Sequence, residues 1–316
     1  MSDNKQKIII DTDCGSDDAM AIAMALNDEN YEILMITAVS GNVRMKQAAY
    51  NTLTTMKVSD TFYPPVYEGS DTMLVRDWVG ASDVHGDDGM GDLGLVDYSL
   101  KTTPGNAVLK MLEALRENED KSIDIITLGP LTNLAIAIRL EPETMKRARR
   151  IIMMGTAGLG RGNVSMVAEF NIWQDPEACQ IVIDSGIDPL IFVGWDACLD
   201  EAILDPEEIE KIRSSGELGR FCIDTNVKLM NLNVKRFGYE CLDMADPAAM
   251  AAALYPACID QCDKYYCEVD LSRGPSYGAV LIDYYGFSGK TPNAYICSKL
   301  KPDLYKQYIM KTLKAI

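Results

Sequence analysis

The chain reads as a single open α/β domain with a mixed, mostly parallel sheet and helices on both faces. Three observations predict this. Short apolar runs alternate with longer stretches of helical spacing. The 316 residues are 47% hydrophobic, enough to bury a substantial core. No repeat, low-complexity tract or Pro/Ser-rich linker interrupts them, so residues 1–316 form one domain in the economical reading.

The run 8–10 is three isoleucines and predicts a strand; 18–26 then carries helical spacing. Further strands are predicted at 33–39, 123–128, 151–154 and 190–193, with helices at 106–118, 131–140 and 176–185. In sheets built from such βαβ units, ligands bind beyond the carboxyl ends of the strands. The segments at those ends are polar. Asp11-Thr12-Asp13-Cys14-Gly15-Ser16-Asp17-Asp18 follows the first strand, Ser40-Gly41-Asn42 the second and Gly129-Pro130-Leu131-Thr132-Asn133 the third. These loops are expected to meet at one crevice.

The net charge of −17 repels phosphate backbones, which argues against nucleic acid and for a small neutral substrate or a cation. No stretch approaches the ~20 apolar residues of a membrane span. The isoleucine run is too short for a signal peptide and leads into acidic residues. The nine cysteines are scattered and odd in number, which predicts reduced thiols and a cytoplasmic protein. Cys258, Cys262 and Cys267 are the one close group, but they lack a CxxC pair or a nearby histidine, which argues against zinc.

The first loop holds four carboxylates within eight residues: Asp11, Asp13, Asp17 and Asp18. Asp11 and Asp13, two apart, are expected to share a face at the strand end. Gly15 would allow a sharp turn, and Asp17 and Asp18 would open a helix. Carboxylates this close repel one another unless a cation lies among them. Oxygen ligands without His or Cys select a hard ion, calcium or magnesium. Helix capping explains Asp17 or Asp18 but not Asp11 and Asp13 as well. An EF-hand loop needs Glu where Ile22 stands, and a helix where a strand is predicted. Strand-Asp-x-Asp is also similar to the nucleophile loop of haloacid-dehalogenase-type, magnesium-dependent phosphatases. That family has Thr or Val where Gly15 stands and does not call for the Asp17-Asp18 pair.

Asp-Thr-Asp-x-Gly-x-Asp-Asp-Ala, residues 11–19, resembles the first motif of the inosine–uridine-type nucleoside hydrolases. Other segments resemble that family in the same order. They are Val39-Ser40-Gly41-Asn42, Val84-His85-Gly86 through Gly89-Met90-Gly91, and Thr127 through Ala135. Gly162-Asn163, Ala168-Glu169-Phe170-Asn171-Ile172, Asp175-Pro176-Glu177-Ala178 and Asp246-Pro247 continue it to residue 247. The resemblance implies the nucleoside hydrolase fold, an open Rossmann-like sheet, and a homodimer or homotetramer. It implies hydrolysis of the N-glycosidic bond of ribonucleosides to ribose and free base, through an oxocarbenium-like ribose.

It also implies residue roles. Calcium falls to Asp13, Asp18, Asp246 and the backbone carbonyl of Leu128. Asp13 is the base that takes a proton from a calcium-activated water, Asn42 orients that water, and Asp11 supports the ligands from behind. Asp17, Asn163, Glu169 and Asn171 match ribose-binding positions. Glu169 and Asn171, two apart, would point the same way from an extended segment. His85, the one histidine, would contact substrate from a loop made mobile by Gly86, Gly89 and Gly91.

Two positions depart from the family. Ala245 stands where members carry a His that protonates the base or a Trp that stacks on it. Leaving-group activation and base preference are therefore left open, with Trp78, Trp173 and Tyr239 as stacking candidates. Cys14 replaces the usual Pro, and neighbouring carboxylates should raise its pKa. Two other readings stay open: a nucleoside- or ribose-binding protein without catalysis, and the phosphatase.

Overall fold

In a computed structural model that describes residues 5–315, the apolar runs are strands whose alternate side chains serve two cores. Ile8 and Ile10 of β1 (Gln6–Thr12) face one core, and Ile9 faces the other. Burial on both faces explains the unbroken isoleucine run, since a strand covered on both sides has no reason to alternate with polar residues. The helices Ser16–Leu26, Met45–Ser59, Ala245–Leu254 and Pro302–Thr312 cover the first face. Ala107–Glu117, Thr132–Leu140 and Pro176–Ile183 cover the second.

The other strands are β2 (Tyr31–Ala38), β3 (Val66–Glu68), β4 (Ile123–Thr127), β5 (Arg150–Met154), β6 (Leu190–Val193), β7 (Ile259–Val269), β8 (Val280–Asp283) and β9 (Ala294–Leu300). They form one sheet in the order β3-β2-β1-β4-β5-β6-β9-β7-β8. Pairing is parallel from β3 across to β9, then antiparallel from β9 to β7 and from β7 to β8. The sheet is thus mixed and mostly parallel, as expected. β1 lies between β2 and β4, so the chain builds outward to one side of β1 and then returns on the other. That reversal opens a crevice at the carboxyl ends of β1 and β4.

The helices Ser16–Leu26 and Ala245–Leu254 both begin at this crevice and pack against each other, and all their residues but Ala245 are buried. Their alanines, among them Ala21, Ala25, Ala248 and Ala252, let two backbones approach closely beneath the site. Past the amino end of the sheet, Asp124 of β4 fixes the same layers. Its side chain is 1% exposed and accepts from Arg149 Nε and Nη2 at 2.6 and 2.5 Å and from Arg150 Nε at 3.0 Å. Arg150 Nη2 donates to the Ala253 carbonyl at 2.8 Å, which ties β5 to the far end of the Ala245–Leu254 helix.

The predicted elements fall within a few residues of their positions. The strand expected at 33–39 runs as Tyr31–Ala38, and the helix expected from residue 18 starts at Ser16. Sequence reasoning missed β3, β7, β8 and β9 and the helices Met45–Ser59, Pro206–Ser214, Glu217–Asp224, Val227–Phe237, Ala245–Leu254 and Pro302–Thr312. β3 has only three residues. β7 reads Ile-Asp-Gln-Cys-Asp-Lys-Tyr-Tyr-Cys-Glu-Val, half exposed near the sheet edge, without the apolar run that marked the central strands. Cys258, Cys262 and Cys267 lie in or just before β7, and Cys262 pairs with Cys297 of β9, which accounts for their grouping as strand residues.

Removing the Asp124 carboxylate leaves two arginines facing each other without their shared partner. Asp124→Ala is expected to cost about 2–4 kcal/mol, discounted from the fully buried case because Arg149 is 40% exposed. Urea unfolding reads this as a lower midpoint at unchanged slope; an unmoved midpoint would mean that the clamp contributes nothing.

Candidate active site

The crevice gathers carboxylates from three places in the chain. Asp11 is the last acidic residue of β1, Asp13 lies just past the strand, Asp17 and Asp18 occupy the first turn of Ser16–Leu26, and Asp246 the first turn of Ala245–Leu254. All five are buried. Two helix amino ends, with their unpaired N–H groups, favour negative charge here. One carboxylate oxygen each from Asp17, Asp18 and Asp246 lies within 4.8 Å of the others.

Local hydrogen bonds hold the acids in place. Gly15 N donates to Asp18 Oδ2 at 2.8 Å, and Thr12 Oγ1 donates to Asp18 Oδ1. Asn42 N donates to Asp13 Oδ2 at 2.6 Å, and Asn42 Nδ2 to Asp18 Oδ2 at 3.3 Å. Asp11 accepts through Oδ1 from Thr37 Oγ1 and from Asn133 Nδ2 at 2.8 Å, and its Oδ2 is buried without a partner among the described residues. Asp11 therefore braces the ends of β1, β2 and the Thr132–Leu140 helix, while its carbonyl accepts from Leu128 N at 2.8 Å.

The electrostatics are strained without a cation. Burial, then the charge of Asp18, pushes the Asp13 carboxyl well above the usual range. Burial and Asp17 raise Asp18 to about 6, and Asp246 rises well above its ordinary value for the same causes. Asp13 Oδ1 and Asp17 Oδ1 are buried with no hydrogen-bond partner among the described residues. Orphaned carboxylate oxygens surrounded by further carboxylates fit a hard divalent cation and no softer metal.

The polar grip sits opposite. Glu169 is the N-cap of the helix Phe170–Gln174 and accepts from Asn171 N at 2.8 Å and Ile172 N at 3.2 Å. Burial lifts its carboxyl to about 7. The extended segment expected for Glu169 and Asn171 is thus a helix start, and its capping geometry, not strand alternation, brings both side chains to the crevice. Asn171 Nδ2 donates to the Leu128 carbonyl at 2.6 Å, and Asn163 Oδ1 accepts from Phe170 N at 2.9 Å. Asp17, Asn42, His85, Asn163, Glu169 and Asn171 line one cleft, together with Leu128 and Asp246.

His85 ends the short helix Ser82–His85 and is buried rather than solvated. Ser16 N points at its Nδ1 from 3.3 Å, and Ser16 Oγ lies 2.8 Å away. A backbone N–H can only donate, so Nδ1 accepts and the ring proton sits on Nε2. Burial lowers the His85 pKa, which keeps it neutral. Gly15 has an ordinary negative φ of −81°, so no sharp turn explains it. A Cβ there would stand 2.8 Å from Asn42 Nδ2 and 3.0 Å from His85 Nδ1; glycine lets those groups approach. Gly86, Gly89 and Gly91 do adopt positive φ, the conformation that side chains disfavour. Cys14 is buried, and burial more than its acidic neighbours drives its thiol pKa far up.

The stacking candidates lie elsewhere. Trp78 packs under Arg44 and donates to the Gly41 carbonyl at 2.8 Å; Trp173 packs under Arg76; Tyr239 is 46% exposed. The cleft takes its aromatic walls from Phe170 and Trp195, with Leu229, Arg236 and Asp243 beside Ala245. Trp195 follows the predicted strand 190–193, so the strand-end rule pointed to it. Arg236 and Leu229 lie on a helix whose spacing went unread.

The profile of the family described as inosine-uridine preferring nucleoside hydrolase matches residues 8–307. The chain belongs to that family. It is accordingly an N-ribosyl hydrolase, and the phosphatase reading falls away. The pyrimidine-specific ribonucleoside hydrolase RihB of Escherichia coli O157:H7 (strain EC4115 / EHEC) is 31% identical over 302 residues, covering 95% of each chain. A solved plant nucleoside hydrolase, the PpNRh1 enzyme, superposes with a TM-score of 0.90 at 28% identity, covering 98% of this chain and 99% of its own. A purine-preferring ribonucleoside hydrolase from Gardnerella vaginalis gives 0.87 at 26% identity, with 98% and 100% covered.

In this hydrolase Gly41 is where a methyl group does most harm. A Cβ there would lie 2.0 Å from Asp13 Oδ2 and 2.6 Å from Pro130 Cδ, so Asp13 must move. Gly41→Ala is expected to lower kcat for ribonucleosides by about 100-fold, the scale of a 1 Å misplacement. Steady-state assays check this, and full activity would show that the loop yields without disturbing Asp13.

Proposed function

We propose that this hydrolase cleaves ribonucleosides to ribose and free base with calcium in the aspartate cluster and Asp13 as the base. The observation that carries the reading is Asp13 Oδ1, buried and unpartnered beside the cluster while Oδ2 is held by Asn42 N. A carboxylate fixed through one oxygen and free at the other is prepared to take a proton from water. Asp13, Asp18, Asp246 and the Leu128 carbonyl are the proposed ligands. Asp17, whose oxygen also approaches Asp18 and Asp246, stands between the ion and the sugar. When bound, the ion offsets the crowded negative charge and makes the attacking water more acidic.

The remaining work falls to the chain's own residues. Asn42 Nδ2 orients the water. Asp17, Asn163, Glu169 and Asn171 hold the ribose hydroxyls, and their negative character favours the positive charge that grows on the ring as the bond breaks. Asp11 keeps the β1 end rigid from behind. His85, neutral with its proton on Nε2, is a hydrogen-bond donor to the substrate. The named relatives act on pyrimidine in one case and prefer purine in another, so the substrate class proposed is the ribonucleoside. Two or four copies in the cytoplasm are the expected state, and Tyr285 and Phe287, 83% and 88% exposed, offer an apolar surface for self-association.

Stripping the protein with a calcium chelator is expected to abolish ribose release from a panel of ribonucleosides and to lower Tm, since the acids then repel in a buried site. Calcium restores both; restoration by zinc but not calcium would overturn the ion assignment. Asp13→Asn is expected to lower kcat by about 10²–10⁴-fold, with a smaller change in KM. Near-native turnover in that variant would remove Asp13 from its role, while binding without turnover in the native protein would favour a binding protein.

A further inference from the structure

The departing base has no partner yet, because Ala245 supplies neither a proton nor an aromatic face. The wall beside it carries one cation, Arg236. Asn226, Leu229, Asn233 and Arg236 are spaced by three, four and three residues along Val227–Phe237 and its cap, so they share one face. That face is anchored at both ends. Asn226 Oδ1 accepts from Ser16 Oγ and its Nδ2 donates to the Ser16 carbonyl, both at 2.9 Å. Asn233 Nδ2 donates to Asp243 Oδ1 at 2.7 Å and to the Cys241 carbonyl at 3.0 Å.

Asp243 Oδ2 then lies 4.0 Å from Arg236 Nη1, with side chains 1% and 33% exposed. Among the described residues the Arg236 guanidinium makes no hydrogen bond. Its five N–H donors and lack of any acceptor suit it to one task, receiving an electron-rich oxygen or nitrogen. Asp243 is near enough to orient it and too far to occupy its donors. Phe170 and Trp195 in the same cleft supply faces for a flat ring.

We propose that Arg236 receives the leaving base in this hydrolase by donating hydrogen bonds to the base's carbonyl oxygen, and that Asp243 is its positioning residue. This rests on the reading that the cleft hydrolyses nucleosides. The C1′–N bond breaks with both electrons passing to the base nitrogen. Water oxygen bonds C1′, and its proton passes to Asp13. In a base with a conjugated carbonyl the negative charge spreads to that oxygen, where the guanidinium meets it. The base takes a proton from solvent as it leaves, so ribose and neutral base are the products. Adenine has no carbonyl, so adenosine gains least from this contact.

The test compares the metal-loaded native protein with Arg236→Ala and Arg236→Lys on inosine, uridine, adenosine and nitrophenyl riboside, whose leaving group needs no help. Arg236→Ala is expected to lower kcat/KM for inosine and uridine by about 10- to 100-fold, the range of one charge-assisted hydrogen bond, with adenosine and nitrophenyl riboside within about threefold of native. Arg236→Lys should fall between. An equal loss on all four substrates, or no loss on inosine and uridine, would overturn the proposal. For Asp243→Asn the loss should be confined to the same two nucleosides and should vanish when Arg236 is already alanine; losses that simply add would give Asp243 an independent structural role.

Calorimetry with hypoxanthine, uracil and ribose separates this test from that of hydrolysis. Arg236→Ala should weaken binding of both bases and leave ribose unchanged, even if the native chain turns nothing over. Unchanged base binding, or no base binding by the native protein, would defeat the assignment of Arg236 by itself.

Discussion

The crowding of buried carboxylates at the carboxyl end of β1 is the constraint on which the rest depends. Asp13, Asp17, Asp18 and Asp246 are placed where water is scarce and like charge is near. Such an arrangement persists only if the fold is stable enough to enforce it and if a cation relieves it. The first condition is visible: Asp17, Asp18 and Asp246 stand on the first turns of two buried helices that pack against each other, with Asp13 just ahead of the first. The oxygens left without protein partners suit the second.

On the proposed assignment, the cleft divides into an ion side, a sugar side and a base side. The ion side of the cleft is anionic and rigid, fixed by backbone donors such as Gly15 N and Asn42 N. The sugar side is built from a helix cap, where Glu169 serves the backbone of its own helix and faces the cleft as well. The base side is different in character. It takes aromatic walls from Phe170 and Trp195, and Leu229 and one loosely paired guanidinium from the segment 226–245.

Much of this was legible in the sequence. The first loop showed its acids through density alone, and the strand-end rule brought the segments 11–18, 40–42 and 129–133 to one crevice before any coordinates, while Leu128 came through the family resemblance. Asp246, Asn163, Glu169 and Asn171 were reached through family motifs, because nothing local marks an aspartate 228 residues after Asp18 as its neighbour. What escaped had a physical cause in each case. β7 and β8 sit at the sheet margin, where half-exposed strands mix polar and apolar residues. The Val227–Phe237 helix places polar Asn226 and Asn233 and charged Arg236 on its inward face, the reverse of the usual pattern. Glu169 lines the cleft from a helix cap, where an extended segment was expected.

The position of β9 bears on how the chain comes to be whole. This strand follows β7 and β8 in the chain, yet it inserts between β6 and β7, joining the parallel sheet to its antiparallel margin. Every side chain named in the cleft precedes it. On the ribosome the acids, the sugar grip and the base wall have all been made while β6 still has an open edge and β7 and β8 have no sheet to join. An unpaired edge of that kind is the feature that invites wrong pairing between chains. The interval between residues 269 and 300 is therefore the vulnerable stage of biosynthesis, and a nascent chain halted there has the chemistry written and the scaffold unfinished.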